Sequence, residues 1–354
     1  MNMTVLQEAI GAWEAATCIK FFEMEVLDER AEFMEFVGKK GCYASVGYRK
    51  GKNTRISVDT CAGRGVTHEI AHALGLQHEQ SRSDRNDHII LVADNIEVGK
   101  EFNFALLKTV NYNIPYDYYS LMHYYDRAAS GDDKRTMLAR DPRFQLVMGD
   151  GKKISFWNAK LVNTAYGCID DWLASCKQES EPCKNGGYTQ KDCSCACPLG
   201  TTGDKCQVYN MSYRDALIKQ ISPYTSVITT SGTEVVSFGY PDDSPSAETK
   251  YTQIMRAPEC HRAVVKFSDF ELAPRNPTED KICEFGSLEI RSDVTVAGGK
   301  LFCGKEIEKG TVFKSDKTDL IFHYKNPNFV QFGTENKYKG YKATFTVEPI
   351  PNCR

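Results

Sequence analysis

One segment dominates the interpretation of this sequence: His68-Glu69-Ile70-Ala71-His72-Ala73-Leu74-Gly75-Leu76-Gln77-His78. His68 and His72 are four residues apart, so a helix places both imidazoles on one face. Gly75 can adopt a positive φ, which lets the helix end and the chain turn sharply. That turn would bring His78 to the same ion, and three neutral imidazoles leave a fourth zinc position open for water. The spacing therefore predicts a zinc site with His68, His72 and His78 as ligands.

Glu69 follows the first of these histidines, where a carboxylate can accept a proton from a zinc-activated water. In the alternative interpretation, these residues are ordinary polar side chains on a half-buried helix. Four features favour the catalytic site: Gly75, the third histidine, its spacing, and the downstream string Ser120-Leu121-Met122-His123-Tyr124.

The composition is that of an ordinary globular protein with many cysteines. The 354 residues include 44 basic and 47 acidic side chains, which give a net charge of −3. That balance argues against a general nucleic-acid binder. No stretch is long and apolar enough to predict a membrane span.

Fourteen cysteines, six of them within residues 176–206, indicate a disulfide framework and an oxidising compartment. A cytosolic protein with metal-bound cysteines is disfavoured, because cysteine pairs with zinc-finger spacing lack matching partners.

Three regions with different patterns predict three domains. Residues 1–168 mix helical and β patterns, with helices expected over 3–17, 64–76, near 95–107 and from Ser155, and strands over 19–22, 42–48 and 55–58. Residues 169–207 contain too few apolar residues to form a core without covalent links. Residues 208–354 contain short alternating runs between turns, which is typical of an all-β sandwich.

The string continues as His78-Glu79-Gln80-Ser81-Arg82-Ser83-Asp84-Arg85, and the whole resembles the astacin family of zinc endopeptidases within the metzincins. The family pattern HExxHxxGxxHExxRxDR matches without a substitution. The resemblance covers about residues 3–168 and implies an α+β zincin-like domain with one zinc ion. It implies that Met122 forms the turn beneath the metal. It also implies that Tyr124 lies near the metal and stabilises an oxyanion during turnover, whereas the alternative for Tyr124 is a packing aromatic.

The resemblance extends to the cysteines and to the accessory regions, an arrangement similar to that of nematode astacins. It implies the bridges Cys18–Cys168 and Cys42–Cys61 in the catalytic domain. The string CKNGG at residues 183–187 and the six surrounding cysteines resemble an EGF-like module. The pairing expected there is Cys176–Cys193, Cys183–Cys195 and Cys197–Cys206, although other connectivities exist and an unrelated stapled linker is the alternative.

The last region resembles a CUB domain through Cys260, Cys283, the string GSLEI at residues 286–290 and Phe302-Cys303-Gly304. The resemblance implies a Cys283–Cys303 bridge, which leaves Cys260 and Cys353 to pair with each other.

Two weaker features concern specificity and glycosylation. In the family, the pocket for the residue after the scissile bond is lined partly by the segment before the last helix. Lys152 and Lys153 in that segment would favour an acidic residue, or they simply solvate a glycine turn. Of two sequons, at Asn2 and Asn210, the one at Asn210 lies in a linker and predicts glycosylation there.

The sequence therefore predicts a secreted zinc-dependent endopeptidase that acts on extracellular or matrix proteins, with a CUB domain that binds matrix proteins or glycoproteins. Its first residues lack the features of a signal peptide and the family's propeptide, so we expect an N-terminally incomplete form of a zymogen. The alternative is a non-catalytic extracellular binding protein that retains a relic protease domain. The intact ligands, Glu69 and Tyr124 favour the enzyme.

Overall fold

The structure, a computed structural model, describes residues 2–24, 32–61, 63–132, 134–241, 249–276, 283, 285–326 and 338–353. The helices within these residues are α1 (Met3–Ala16), α2 (Arg64–Ala73), α3 (Phe156–Ala165), α4 (Cys168–Ser175) and α5 (Tyr213–Ile221). The strands are β1 (Met34–Val37), β2 (Tyr43–Ala44), β3 (Thr54–Ser57), β4 (Ile89–Leu91), β5 (Met137–Ala139), β6 (Tyr188–Thr189), β7 (Cys195–Ala196), β8 (Thr201–Thr202), β9 (Val208–Tyr209), β10 (Ser226–Ile228), β11 (Glu234–Val236), β12 (Thr249–Arg256), β13 (His261–Glu271), β14 (Ser287–Arg291), β15 (Lys300–Phe302), β16 (Val312–Lys314), β17 (Asp319–Asn326) and β18 (Gly340–Pro349).

The chain folds into two compact units. Unit 1 contains Met1–Asp87, Val98–Tyr125 and Val147–Leu217, and unit 2 contains His88–Glu97, Asp126–Leu146 and Ile218–Arg354. The units interleave along the chain, so the boundaries predicted at 168 and 207 stay a prediction. Among the described residues, helices that combine the length and apolarity of a membrane span are absent.

In unit 1, the expected helix at the start of the chain is confirmed as α1. Asn2 caps it, because its side-chain oxygen accepts from the Thr4 and Val5 amides. Leu6, Ala9 and Trp13 share one buried face. Trp13 is fully buried and donates its indole N–H to the Thr67 carbonyl of α2 at 3.0 Å, so α1 packs against the central helix of the unit.

Beside α2 lies a three-stranded sheet in the order β1-β3-β2, with β1 parallel and β2 antiparallel to β3. The expected helix α3 is also confirmed. Ser155 accepts from the Asn158 amide, and the Asn158 side chain accepts from the Ser155 amide, which forms a capping box.

Two expectations for this part of the chain are wrong. The segment 95–107 forms short 3₁₀ turns at Ala93–Asn95 and Glu101–Phe104 rather than an α-helix. Val98 and Phe102 are 92% and 72% exposed, so a helix there would have had no apolar surface to pack against. Residues 19–22 do not pair as a strand, and Phe22 is 86% exposed.

Unit 2 contains the predicted β-sandwich. One sheet has the order β10-β12-β17-β14-β15 and the other has the order β11-β18-β13-β16. The side chains between the sheets include Val265, Phe267, Phe322, Tyr341 and Phe345, all nearly inaccessible to solvent. The residues of β13 alternate in burial over much of its length, which is the pattern of a strand with one face on the core.

Strands β4 and β5 pair with each other and belong to the same unit as the sandwich. The chain after β5 contacts the sandwich directly, since the Thr252 hydroxyl donates to the Pro142 carbonyl at 3.4 Å. Sequence patterns gave no sign of this packing, because the contact joins residues 110 positions apart.

The structure contains the seven disulfide pairings that the sequence implied. They are Cys18–Cys168, Cys42–Cys61, Cys176–Cys193, Cys183–Cys195, Cys197–Cys206, Cys260–Cys353 and Cys283–Cys303. The first closes the longest loop, with a sequence separation of 150 residues, and so removes the most conformational freedom from the unfolded chain.

We expect Trp13→Ala to lower the free energy of unfolding by about 3–5 kcal/mol, because it leaves a cavity and removes the hydrogen bond from the indole to the Thr67 carbonyl. Denaturant titration of the full chain with its disulfides intact measures this change. Met3→Ala on the same helix is the control, since Met3 is 49% exposed and its loss should cost within about 0.5 kcal/mol. Equal losses in both variants would contradict the packing role of Trp13.

Candidate metal centre

Helix α2 and the turn after it bring three imidazoles together. Gly75 adopts a φ of +99° and its amide donates to the His72 carbonyl at 2.9 Å, which ends the helix as expected. The chain then returns, so that the Nε2 atom of His78 lies 3.2 Å from Nε2 of His68 and 3.2 Å from Nε2 of His72.

Hydrogen bonds on the far side of two rings fix their tautomers. The Nδ1 atom of His68 lies 2.9 Å from the Leu121 carbonyl, and Nδ1 of His72 lies 2.8 Å from the Leu76 carbonyl. A carbonyl oxygen only accepts, so each Nδ1 carries the hydrogen and each Nε2 presents a lone pair.

Burial favours the neutral form of all three imidazoles. Burial, followed by the neighbouring histidine, lowers the pKa of His68 to about 4, and burial and the other histidines lower the pKa of His78 to about 2. Burial also lowers the pKa of His72.

This donor set fits a zinc ion. Nitrogen ligands about 2.0–2.1 Å from a tetrahedral zinc ion lie about 3.3 Å from one another, close to the spacing of these Nε2 atoms. Lone pairs directed at one another repel, and a cation between them removes that repulsion. His68, His72 and His78 could therefore hold zinc and leave its fourth position open.

The segment that contains Met122 forms hydrogen bonds with two parts of this cluster. Its Leu121 carbonyl orients His68, and its Met122 carbonyl accepts from the Glu79 amide at 2.9 Å, immediately after His78 in the chain. Met122 itself is fully buried in the apolar core that includes Ile70 of α2. One tight turn thus fixes both the helix and the returning chain.

Glu69 lies in a low-polarity environment. Its side chain is 5% exposed, and its Oε1 atom lies 3.5 Å from the Cys42 sulfur of the Cys42–Cys61 bridge. Among the described residues, its Oε2 atom has no hydrogen-bond partner. Burial raises the pKa of Glu69 to about 7, against the opposing effect of a hydrogen bond from the Ala44 amide. A carboxyl group with such a pKa can both accept and return a proton near neutral pH.

Tyr124 lies beside the third histidine, with its ring centroid 4.5 Å from that of His78. Its amide donates to the buried Gln80 side chain at 3.2 Å, which holds the backbone at this position. Burial, followed by the charge of Glu69, raises the pKa of Tyr124, so the phenol keeps its proton. A protonated phenol can donate a hydrogen bond to a developing negative charge.

Sequence reasoning missed two residues that build the site. Asn158 of α3 accepts from the Leu121 amide at 3.2 Å and donates to the Ser120 hydroxyl at 2.8 Å, so it holds the turn around Met122. Gln80 holds Tyr124 in the same manner. The only signal for Asn158 was its place three residues after the helix cap Ser155.

The remaining predicted residues concern specificity and glycosylation. Lys152 and Lys153 are exposed and line an open groove of about 490 Å³, whose other walls are α1, the start of α2 and Ile154. Their role in specificity stays a prediction. Asn210 is exposed, and its side-chain amide donates to the Thr202 hydroxyl at 3.2 Å.

The chain is similar to known proteins. Residues 1–167 match the family described as Astacin (Peptidase family M12A). Zinc metalloproteinase nas-36 of Caenorhabditis elegans is 32% identical over 349 residues, which cover 96% of this chain and 54% of that protein. The chain spans about half the length of the curated relatives it matches.

Two solved structures are similar to parts of this chain. High choriolytic enzyme 1, a hatching enzyme zinc-protease from Oryzias latipes, is 32% identical, with a TM-score of 0.43 and coverage of 47% of this chain and 82% of that chain. The MASP-1 CUB2 domain bound to Ca²⁺ is 14% identical, with a TM-score of 0.27 and coverage of 34% and 96% respectively.

We expect His72→Ala to abolish stoichiometric zinc binding, because two imidazoles cannot complete the site. Metal analysis after dialysis against a weak chelator measures the zinc content. His261→Ala in the sandwich is the control and should keep one zinc ion per chain. Stoichiometric zinc in the His72 variant would exclude this residue as a ligand.

Proposed function

This chain belongs to the astacin family of zinc metalloproteinases, and from that premise we propose that it is a secreted endopeptidase acting on extracellular or matrix proteins. The observation that carries the proposal is the cluster of three imidazoles, in which Nε2 of His78 lies 3.2 Å from Nε2 of His68 and of His72, beside the buried Glu69 of the same helix as His68 and His72. The alternative of a relic, non-catalytic domain has no such support, since a relic needs neither the ligands nor an acid–base group.

One zinc ion per catalytic domain would be held by His68, His72 and His78. When bound, zinc supplies a Lewis acid that polarises the scissile carbonyl and makes water a better nucleophile. The carbonyl partners of the imidazole Nδ1 atoms keep the rings oriented toward the ion.

Glu69 acts as the proton carrier. Within the part of the chain that the structure describes, its Oε2 atom has no hydrogen-bond partner, so it can accept the proton of the attacking water. After attack, Glu69 returns that proton to the amine that leaves when the peptide bond breaks. The raised pKa of Glu69 suits both steps.

Tyr124 supports the oxygen that gains negative charge. Its phenol keeps its proton and stands next to His78, so it can donate to that oxygen as the carbonyl becomes tetrahedral. Such a bond strengthens only as charge develops, and it therefore lowers the barrier rather than tightening substrate binding.

The remaining parts of the proposal concern location and partners. Seven disulfides suit a protein that folds in an oxidising compartment and is secreted. The exposed side chain of Asn210 suits an attached glycan. We propose that the CUB-like sandwich binds matrix proteins or glycoproteins and raises the local concentration of substrate.

We expect Glu69→Gln to lower kcat/KM for a peptide substrate by about 10²–10⁴-fold, because glutamine cannot carry the proton. Zinc content should stay near one ion per chain, since Glu69 is not a ligand. Fluorogenic peptide cleavage and metal analysis of the same preparation measure both quantities. Glu8→Gln on the exposed side of α1 is the control. Activity near that of the control, or loss of zinc, would refute the proton-carrier role.

Replacing Tyr124 with phenylalanine should lower kcat by up to about a hundredfold and change KM little, since the phenol is proposed to act only in the transition state. Steady-state kinetics on the zinc-loaded protein separate the two constants. Tyr125→Phe is a matched control, because the neighbouring Tyr125 is 54% exposed. An unchanged kcat would leave Tyr124 as a packing residue.

A further inference from the structure

The Cys42–Cys61 disulfide of unit 1 lies along one face of helix α2. The sulfur of Cys42 is 3.5 Å from Oε1 of Glu69. One turn earlier in the helix stands Gly65, where a β-carbon would lie 3.1 Å from the same sulfur and 3.3 Å from the β-carbon of Cys61. Gly65 and Glu69 are four residues apart and share a helix face. The bridge therefore covers the face that carries Glu69, and the missing side chain at Gly65 permits this close approach.

The same bridge fixes a strand that donates a hydrogen bond to Glu69. The donor is the amide of Ala44, which lies on β2 two residues after Cys42. Cys61 lies three residues before α2 begins at Arg64. The disulfide thus links the strand that carries the donor to the helix that carries the acceptor. Strand β2 contains two residues and lies at the end of the order β1-β3-β2, so the sheet alone restrains it at few points.

The two oxygens of Glu69 have different surroundings. A disulfide sulfur carries no hydrogen to donate, so beside Oε1 it acts as a soft, weakly polar neighbour that excludes water. Within the described ranges of the chain, Oε2 has no hydrogen-bond partner. A carboxyl group that is restrained on one side presents its other oxygen in a constant direction. Proton transfer in a catalytic step depends on such a direction, because it occurs only within hydrogen-bond reach.

We propose that the Cys42–Cys61 disulfide positions Glu69 for proton transfer: it holds β2 against α2 and fills the space beside Oε1, so that the carboxyl group cannot turn away from the proton it must accept. Gly65 belongs to the same arrangement, because its missing side chain sets the distance between the bridge and the helix. The inference rests on the proposed function, in which Glu69 carries a proton. It assigns neither cysteine a contact with substrate or metal.

The first test measures hydrogen exchange of the Ala44 amide in the full chain and requires no peptidase activity. Gly65→Ala should accelerate this exchange at least about threefold, because the new β-carbon displaces the bridge and weakens the bond from Ala44 to Glu69. Gly11→Ala is the matched control, since it makes the same change in α1, where a β-carbon would meet no atom within 4 Å. Equal exchange in both variants would overturn the link between the bridge and Glu69.

The second test uses steady-state kinetics of the zinc-loaded full chain. Replacing both Cys42 and Cys61 with serine should lower kcat roughly ten- to hundredfold, with KM and zinc content unchanged, and Gly65→Ala should lower kcat roughly two- to tenfold. The control replaces Cys283 and Cys303 with serine. That bridge spans 20 residues and the Cys42–Cys61 bridge spans 19, so both losses free a similar amount of chain in the unfolded state. The control should leave kcat unchanged.

A combination of variants tests whether the bridge acts through Glu69. In a Glu69→Gln background, adding Gly65→Ala should leave the residual kcat unchanged, because the group that the bridge positions can no longer carry a proton. Losses that add would show that the bridge affects catalysis by another route, and they would overturn the positioning role. Each variant is assayed well below the midpoint of its thermal unfolding, so that the unfolded fraction does not enter kcat.

An unchanged kcat in the bridge variants would also overturn the inference, as would a rise in KM alone or a loss of zinc, and the proposed function would stand. If the unmodified, zinc-loaded protein cleaves no peptide, the proposed function fails and the catalytic part of this inference fails with it. Exchange of the Ala44 amide still decides whether the bridge and Glu69 are coupled. If the variant without the Cys42–Cys61 bridge does not fold, Gly65→Ala, which keeps the bridge, gives the decision.

Discussion

The structure of unit 1 depends on one constraint: three imidazole lone pairs must be directed at a single point. A helix supplies two of them at four-residue spacing, but no helix can supply the third. Helix α2 ends at Ala73, and the positive φ of Gly75 returns the chain with His78. These lone pairs repel one another, and the buried contacts around the cluster hold the imidazoles together against that repulsion.

Several of these contacts are hydrogen bonds to backbone carbonyls, so they do not depend on exposed side chains. Carbonyls of Leu76 and Leu121 hold two rings, and the Met122 carbonyl holds the chain after the third. Glu79 extends this support, because its carboxylate accepts from the Arg82 guanidinium at 3.1 Å and from the Asp117 amide at 2.8 Å. A site held in this way stays in place when substrate enters, as catalysis by preorganised groups requires.

The sequence predicts what is local and misses what is distant. The cluster of three histidines, α1, α3 and the sandwich strands follow from spacing within short windows, and the structure has them. The helix expected near 95–107 fails because spacing describes a possible apolar face, whereas Val98 and Phe102 have no surface to bury it against. Asn158, Gln80 and Arg135 act through contacts across tens to hundreds of residues, which no local pattern encodes.

The two compact units also depend on contacts between distant residues, which local sequence patterns do not encode. A change in composition near residue 168 predicts where one module ends, and that signal reflects local hydrophobicity. The compact units group residues 126–146 with the sandwich, through contacts such as the one between Arg135 and Glu289, and the boundaries at 168 and 207 stay a prediction. A buried ion pair adds little stability relative to apolar packing, but it tolerates almost no change of geometry. The ion pair and the hydrogen bond from the Thr252 hydroxyl to the Pro142 carbonyl together tie residues 126–146 to particular strands of the sandwich, and neither contact could be read from a local sequence pattern.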